Sequence, residues 1–291
     1  LQRWSDAMNT FAIVTQVLRI AVPYLFAAAG GVIAERSGII SLTLEGYMLG
    51  GAFAAIVGTF YSGSPVVGAL CGIGGGIVLA LIHAVASIRY RADQVIVGIA
   101  INLFAIGITR FFLKLLFDSS SNSPRVTGFA PGYGDPLLWL GLLSTPVVAF
   151  ILFRTTFGLR VRATGEKPEA AASVGVSVHR VQYMAVLLSG ALAALGGVYL
   201  ALDQHQFTDQ MTAGRGFIAV AAVIFGRWSP LRAGAACLLF AAAETVQIHL
   251  QGNHVVASQF IEMIPYVLTI VALAGVVGRA IAPAALGRAE T

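Results

Sequence analysis

Nine apolar stretches divide this chain, at about 13–34, 40–60, 65–88, 94–117, 137–153, 181–202, 214–226, 232–250 and 259–278. Most approach the roughly 20 residues that a helix needs to cross a bilayer core. Charged residues make up only 11% of the 291 positions and hydrophobic ones 57%. Soluble domains carry about 25% charged residues. A soluble fold of this length could bury a large core but could not hide this much apolar surface. The sequence therefore describes an all-α polytopic membrane protein. The segment 214–226 is short for a span. It reads as a half-helix or re-entrant piece, which is tolerated only where protein or a water-filled cavity covers its ends.

The positions of Lys and Arg set the orientation. Four clusters, Arg89/Arg91, Arg154/Arg160/Arg162/Lys167/Arg180, Arg227/Arg232 and, after the last segment, Arg279/Arg288, are assigned to the cytoplasmic side, which is consistent with the spans between them. The loop 118–136, rich in Ser, Pro and Gly with one Arg, and the loop 203–213, acidic and free of Lys and Arg, then lie outside. Nine crossings start the chain outside and end it inside. Arg110 and Lys114, four residues apart, share a helix face. Snorkelling to the outer interface and a ligand role are both open to them. The net charge of +5 is scattered rather than gathered on one face, which does not suit nucleic-acid binding. Cys71 and Cys237 sit inside apolar runs and read as packing residues. His83, His179, His205, His249 and His254 are scattered and read as surface or loop residues. No metal-ligand spacing, paired acid and base, or nucleophile elbow is present.

The chain also repeats itself. AAAGGV at 27–32 answers AALGGV at 193–198, and GYMLGGAFAAIVG at 46–58 answers GRGFIAVAAVIFG at 214–226. Ser64-Pro65 answers Ser229-Pro230 and Cys71 answers Cys237, at an offset close to 166 residues. With the orientation above, the two copies run in opposite directions. Inverted repeats of this kind, with broken helices, are a transporter arrangement. They make one domain of 1–291, with halves at about 17–153 and 181–280. The polar stretch ERSGIISLTLEG (35–46) and 203–213 become equivalent interruptions. Glu35 and Arg36 suit a cytoplasmic turn and gate edge. Ser41, Thr43 and Glu45 alternate with Ile and Leu on the way back into the membrane and are expected nearest a pathway.

The connection 154–180 is too polar to span. Pro168 and Glu169 suit a helix start, and Gly175 suits its end. The product is a short helix with basic flanks, either a docking element for a cytosolic partner or a solvated loop.

Here the residues resemble a family. GGVIAERSGIISLTLEGYMLGGAFAA, DQVIVGIAINLFAIGIT and GLRVRATGEKPEAAASVGVSVHRV resemble the nucleoside-type permeases of ABC importers, within the ribose and branched-chain amino acid permease group. The resemblance covers about 17–280, with one departure at Ser41, where that pattern has Asn. It implies a type II importer-like transmembrane domain with inverted halves, about nine or ten helices including broken ones, in a bacterial cytoplasmic membrane. It implies a second, related but non-identical permease, cytosolic ATPases that bind the ATP, and an extracellular binding lipoprotein that delivers nucleoside. The chain itself would not hydrolyse ATP or carry a cofactor, and it contains no G-x-x-x-x-G-K-[ST] phosphate loop.

On that resemblance Glu166, Pro168, Glu169, Ala172 and Gly175 would form the coupling helix against the ATPase. Intramembrane polar groups usually face a bundle interior. Asn102 and Thr109, together with the stripe Glu244, Gln247 and Gln251, are therefore pathway candidates beside Ser41, Thr43 and Glu45. Interhelical hydrogen bonding is the other reading of each. Tyr47 and Phe104 could stack on a base but suit core or lipid positions. A simple-sugar permease fits the same features. So does a secondary transporter driven by an ion gradient, with Glu244 as a proton site.

Overall fold

The computed structural model describes residues 2–130, 132–251 and 281–288, and within them the chain is almost wholly helical. The helices are α1 (Gln2–Arg36), α2 (Leu44–Ser62), α3 (Pro65–Ala84), α4 (Gln94–Phe117), α5 (Pro136–Arg154), α6 (Thr156–Glu166), α7 (Pro168–Ser173), α8 (Val178–Asp203), α9 (Arg215–Phe225) and α10 (Pro230–Gln251). A π-helical turn, Val85–Arg89, prolongs α3. Eight of the nine apolar segments coincide with helices; 259–278 lies outside the described residues. Six helical segments among the described residues are long and apolar enough to cross a bilayer. The connection 154–180 holds two helices, α6 and α7, where the sequence predicted one. The extra helix starts where the Thr155 hydroxyl accepts the Gly158 N–H at 3.1 Å, a side-chain cap that closes the first turn.

Burial identifies the centre. In α1 and α8, 78% and 72% of the apolar window is buried, against 33% in α3 and α4. Small residues let these central helices approach closely: Gly51 of α2 and Gly76 of α3 both abut Ala194 of α8. The outer helices turn Leu70, Ile96, Leu103 and Phe111 outward, as lipid-facing surfaces require.

The ends of the bundle sort by charge. At one end lie Arg36, the α6–α7 connection and residues 284–288. At the other the two non-basic loops pair backbone to backbone. Ser123 N–H donates to Phe207 O at 2.9 Å, Asp209 N–H to Ser121 O at 2.8 Å and Val126 N–H to His205 O at 2.8 Å. Arg110 forms a bidentate pair with Asp209 there, and Lys114 pairs with Asp118.

The two interruptions begin alike. After α1, Gly38 N–H donates to Glu35 O and Ile39 N–H to Ala34 O, with Gly38 at φ +95°. After α8, His205 N–H donates to Leu202 O and Gln206 N–H to Ala201 O, with His205 at φ 57°. Both are the 5→2 and 6→1 closures of a helix C-terminus. Pro65 and Pro230 then open α3 and α10.

Candidate translocation and docking sites

The helix α9 has 11 residues and so extends about 16 Å, roughly half a bilayer core. Its first N–H groups have no partner within the helix. Glu45, in the first turn of α2, supplies one. Its Oε1 accepts the Thr212 hydroxyl at 2.6 Å and Gly214 N–H at 2.9 Å, and its Oε2 accepts Gly216 N–H at 2.7 Å. An acid at a helix N-terminus also meets the positive end of the helix dipole. A second acid meets the same turn from α10: Glu244 accepts Arg215 Nη2 at 3.1 Å and the Tyr24 hydroxyl of α1.

The other end of α9 is held from the same stretch of chain. Trp228, two residues beyond Gly226, donates its indole N–H to the buried carboxyl of Glu35, while its carbonyl accepts Arg36 Nε at 2.8 Å. Glu35 also accepts the Ser41 hydroxyl at 2.7 Å. Residues 35–45 therefore grip the half-helix at both ends.

Asn102 of α4 fixes the start of α2. Its Oδ1 accepts Gly46 N–H at 2.9 Å, and its Nδ2 donates to Leu42 O at 2.8 Å. One side chain thus satisfies an orphan donor of α2 and a carbonyl of the preceding turn. Asn102→Ala would orphan both, at about 1–3 kcal/mol for a buried polar group. The expected result is a thermal midpoint of the detergent-solubilised protein lowered by several degrees; an unchanged midpoint would show that the clamp carries no stability.

The sequence-derived candidates thus divide. Ser41, Thr43, Glu45 and Asn102 are buried and engaged in holding the interruption: Thr43 lies 3.2 Å from His83 Nδ1. Glu244 and Gln247 are half-buried on α10, whereas the side chain of Gln251 lies outside the described residues. Thr109 turns its hydroxyl back to Ala105 O, within α4. Tyr47 is buried with its hydroxyl 2.6 Å from His83 Nδ1, and Phe104 faces outward. His83 corrects the expectation of a surface or loop histidine. It is buried in the last turn of α3, inside the apolar run 65–88, where the hydroxyls of Tyr47 and Thr43 meet its Nδ1. Cys71 and Cys237 are free thiols, exposed and buried respectively.

Beside this junction, between α1, α8 and the start of α9, a cleft of about 690 Å³ is lined in part by Gln16, Arg19, Tyr199, Asp203, Gln204 and Arg215. Arg19 pairs with Asp203 at 2.7 Å. Its size falls within the roughly 300–1,000 Å³ of small-molecule sites, and its lining offers donors and acceptors without a single dominant charge. Sequence reasoning missed Thr212, Arg215, Trp228 and the cleft pair Arg19–Asp203. Only Arg215, a lone charge opening an apolar segment after Gly214, carried a signal.

At the basic end α7 stands on the surface. Ala171 is buried, while Glu169, Ala172, Ser173 and Val174 are exposed. Pro168 occupies its first turn, and Gly175, at φ +82°, closes it with Gly175 N–H on Ala172 O and Val176 N–H on Ala171 O. Glu166 ends α6 beside Arg36, 3.9 Å away. A groove of about 680 Å³ runs along α7, with Glu166, Pro168 and Glu169 on one wall and Ala285 and Arg288 on the other.

Against known proteins, residues 13–273 match the family described as the permease component of the branched-chain amino acid transport system. The chain belongs to this permease family. It is 38% identical to the guanosine ABC transporter permease protein NupQ of Bacillus subtilis, over 94% of this chain and 95% of that protein. It is 34% identical to the nucleoside ABC transporter permease protein NupC of Lactococcus lactis, over 97% and 98%. A solved inward-facing ABC transporter described as of metal-chelate type superposes with a TM-score of 0.57 at 14% identity, covering 90% of this chain and 85% of that one. That likeness places the helices of the permease in the fold of an ABC transporter membrane subunit. The permease is a multi-pass membrane protein.

Proposed function

We propose that this permease forms the pathway for nucleosides in an ATP-driven importer of a bacterial cytoplasmic membrane. The observation that carries the reading is the half-helix α9, gripped at both ends by residues 35–45 beside a polar cleft. Irregular backbone at membrane depth is tolerated where it is buried in protein or lines a water-filled cavity. The matched closures of α1 and α8, and the contact between Glu45 and Thr212, 167 residues apart, support halves related as inverted repeats. Nucleosides carry hydroxyls and amide-like edges without net charge, which Gln16, Gln204, Asp203 and the Glu244–Gln247 stripe can meet. The relatives named for guanosine and nucleosides support that substrate class over simple sugars.

In this reading Ser41, Thr43, Glu45 and Asn102 shape the pathway by holding the first interruption, and Glu244 and Gln247 border it. The groove along α7 receives a cytosolic ATPase, which binds the ATP, through Glu166, Pro168, Glu169, Ala172 and Gly175. A second, related permease completes the membrane unit, and an extracellular binding lipoprotein delivers substrate to the end formed by 118–130 and 203–213.

The test is co-purification followed by uptake. The permease is expected to bring an ATPase subunit with it, and the reconstituted assembly to import guanosine only with ATP. Transport by this chain alone in liposomes under a pH gradient would instead establish a secondary transporter.

A further inference from the structure

Three separate pieces of chain meet backbone to backbone at the basic end: the turn after α1, the end of α6, and residues 285–287. Ala285 N–H donates to Gly165 O at 2.9 Å, and Gly287 N–H donates to Gly38 O at 3.0 Å. Gly165 lies so close to the first turn that a Cβ added there would stand 2.2 Å from Arg36 O and 3.2 Å from Gly38 N. Gly287 adopts φ +75°, and a Cβ there would meet Ile40 at 2.9 Å. Side chains reinforce the joint, with Arg36 against Glu166 and Ala284 N–H directed at the Glu166 carboxyl.

We infer that this three-way joint is the mechanical link between the docking helix and the half-helix, and that residues 284–288 are its strap. The inference rests on the ATPase-docking reading of α7. The connection is continuous. Gly165 lies three residues before the start of α7 and touches the Arg36–Gly38 turn. That turn carries Glu35 and Arg36, which hold Trp228 at one end of α9, and leads within seven residues to Glu45, which holds the other end. Packed backbones transmit displacement because they have little room to yield. The strap fastens the docking loop and the turn to one another through 285–287, so a push on α7 moves both. Neither Gly165 nor Gly287 lines the docking groove, which separates transmission from docking.

The experiment measures nucleoside imported per ATP hydrolysed, in the assembly reconstituted with its binding protein. Gly165→Ala wedges the joint, and Gly287→Val cannot hold the positive φ that the strap needs. Each variant is expected to retain its ATPase subunit and to keep substrate-stimulated ATP hydrolysis near wild type, while nucleoside moved per ATP falls about tenfold, the loss that some 1.4 kcal/mol of coupling represents. Gly287→Asn, which tolerates positive φ, is expected to restore most of the ratio. An unchanged ratio in both Gly165→Ala and Gly287→Val overturns the inference. So does loss of the bound ATPase in these variants, which would make the joint part of the docking surface. Failure of the unsubstituted permease to bring down an ATPase would instead overturn the docking reading on which the inference rests.

Discussion

Replacing Glu45 with Ala is expected to lower nucleoside uptake about a hundredfold while the protein still reaches the membrane, since three interhelical hydrogen bonds at roughly 1 kcal/mol each set that scale. The carboxyl group accepts from Thr212, Gly214 and Gly216 together, and among the described residues no other side chain accepts from these three groups. Removing it leaves two backbone donors and a hydroxyl facing protein at membrane depth, where an unsatisfied group is costly. The remaining contacts of α2 with α3 and α8 are extensive and apolar, so the bundle should persist while α9 loses its register. Glu45→Gln makes the argument quantitative. Its carbonyl oxygen can still accept from Thr212 and Gly214, but its amide nitrogen cannot accept from Gly216, so one bond of three is lost and uptake should fall about tenfold. Uptake normalised to membrane-inserted protein checks the series; full activity of Glu45→Ala would reduce residues 35–46 to a plain turn.

The sequence carried the helices and the two interruptions because membrane helices are written in length and apolarity, and both survive without knowledge of partners. Broken helices could be seen as polar stretches at matched positions. Which groups inside those stretches touch was not legible. Ser41, Thr43 and Glu45 alternate along the chain, and alternation suggested a shared outlook on a pathway. The chain between α1 and α2 instead turns each of them to a different neighbour: Glu35, His83 and the start of α9. Asn102 was singled out as polar in an apolar helix, but its partners lie about 60 residues away and are backbone groups, which leave no mark in side-chain patterns. His83 was misjudged for the converse reason. This histidine sits inside an apolar run, where a buried partner is the rule. Gly175 was different, since glycine closing a helix is a local rule and needs no tertiary knowledge.

Glu169→Arg is expected to abolish uptake while the permease level is unchanged and the binding protein still takes up substrate. The folding cost of the change is small. Glu169 is exposed in the first turn of α7, and an acid there contributes about 0.3–1 kcal/mol through the helix dipole. Pro168 and the Gly175 closure still define the helix, and Ala171 still anchors it to the protein. A surface charge reversal that barely touches the fold can remove function only through something that docks on that surface. The expected defect is therefore loss of the co-purifying ATPase, and Glu169→Gln separates charge from shape. If the partner meets Glu169 with a cation, Gln should weaken association measurably and Arg should prevent it, because like charges brought together at an interface cost several kcal/mol. If the partner meets only the outline of α7, Gln should be silent and Arg partly tolerated. Wild-type uptake by Glu169→Arg would remove α7 from the docking surface, and the groove between α7 and residues 284–288 would then have to serve a partner that ignores its acidic wall.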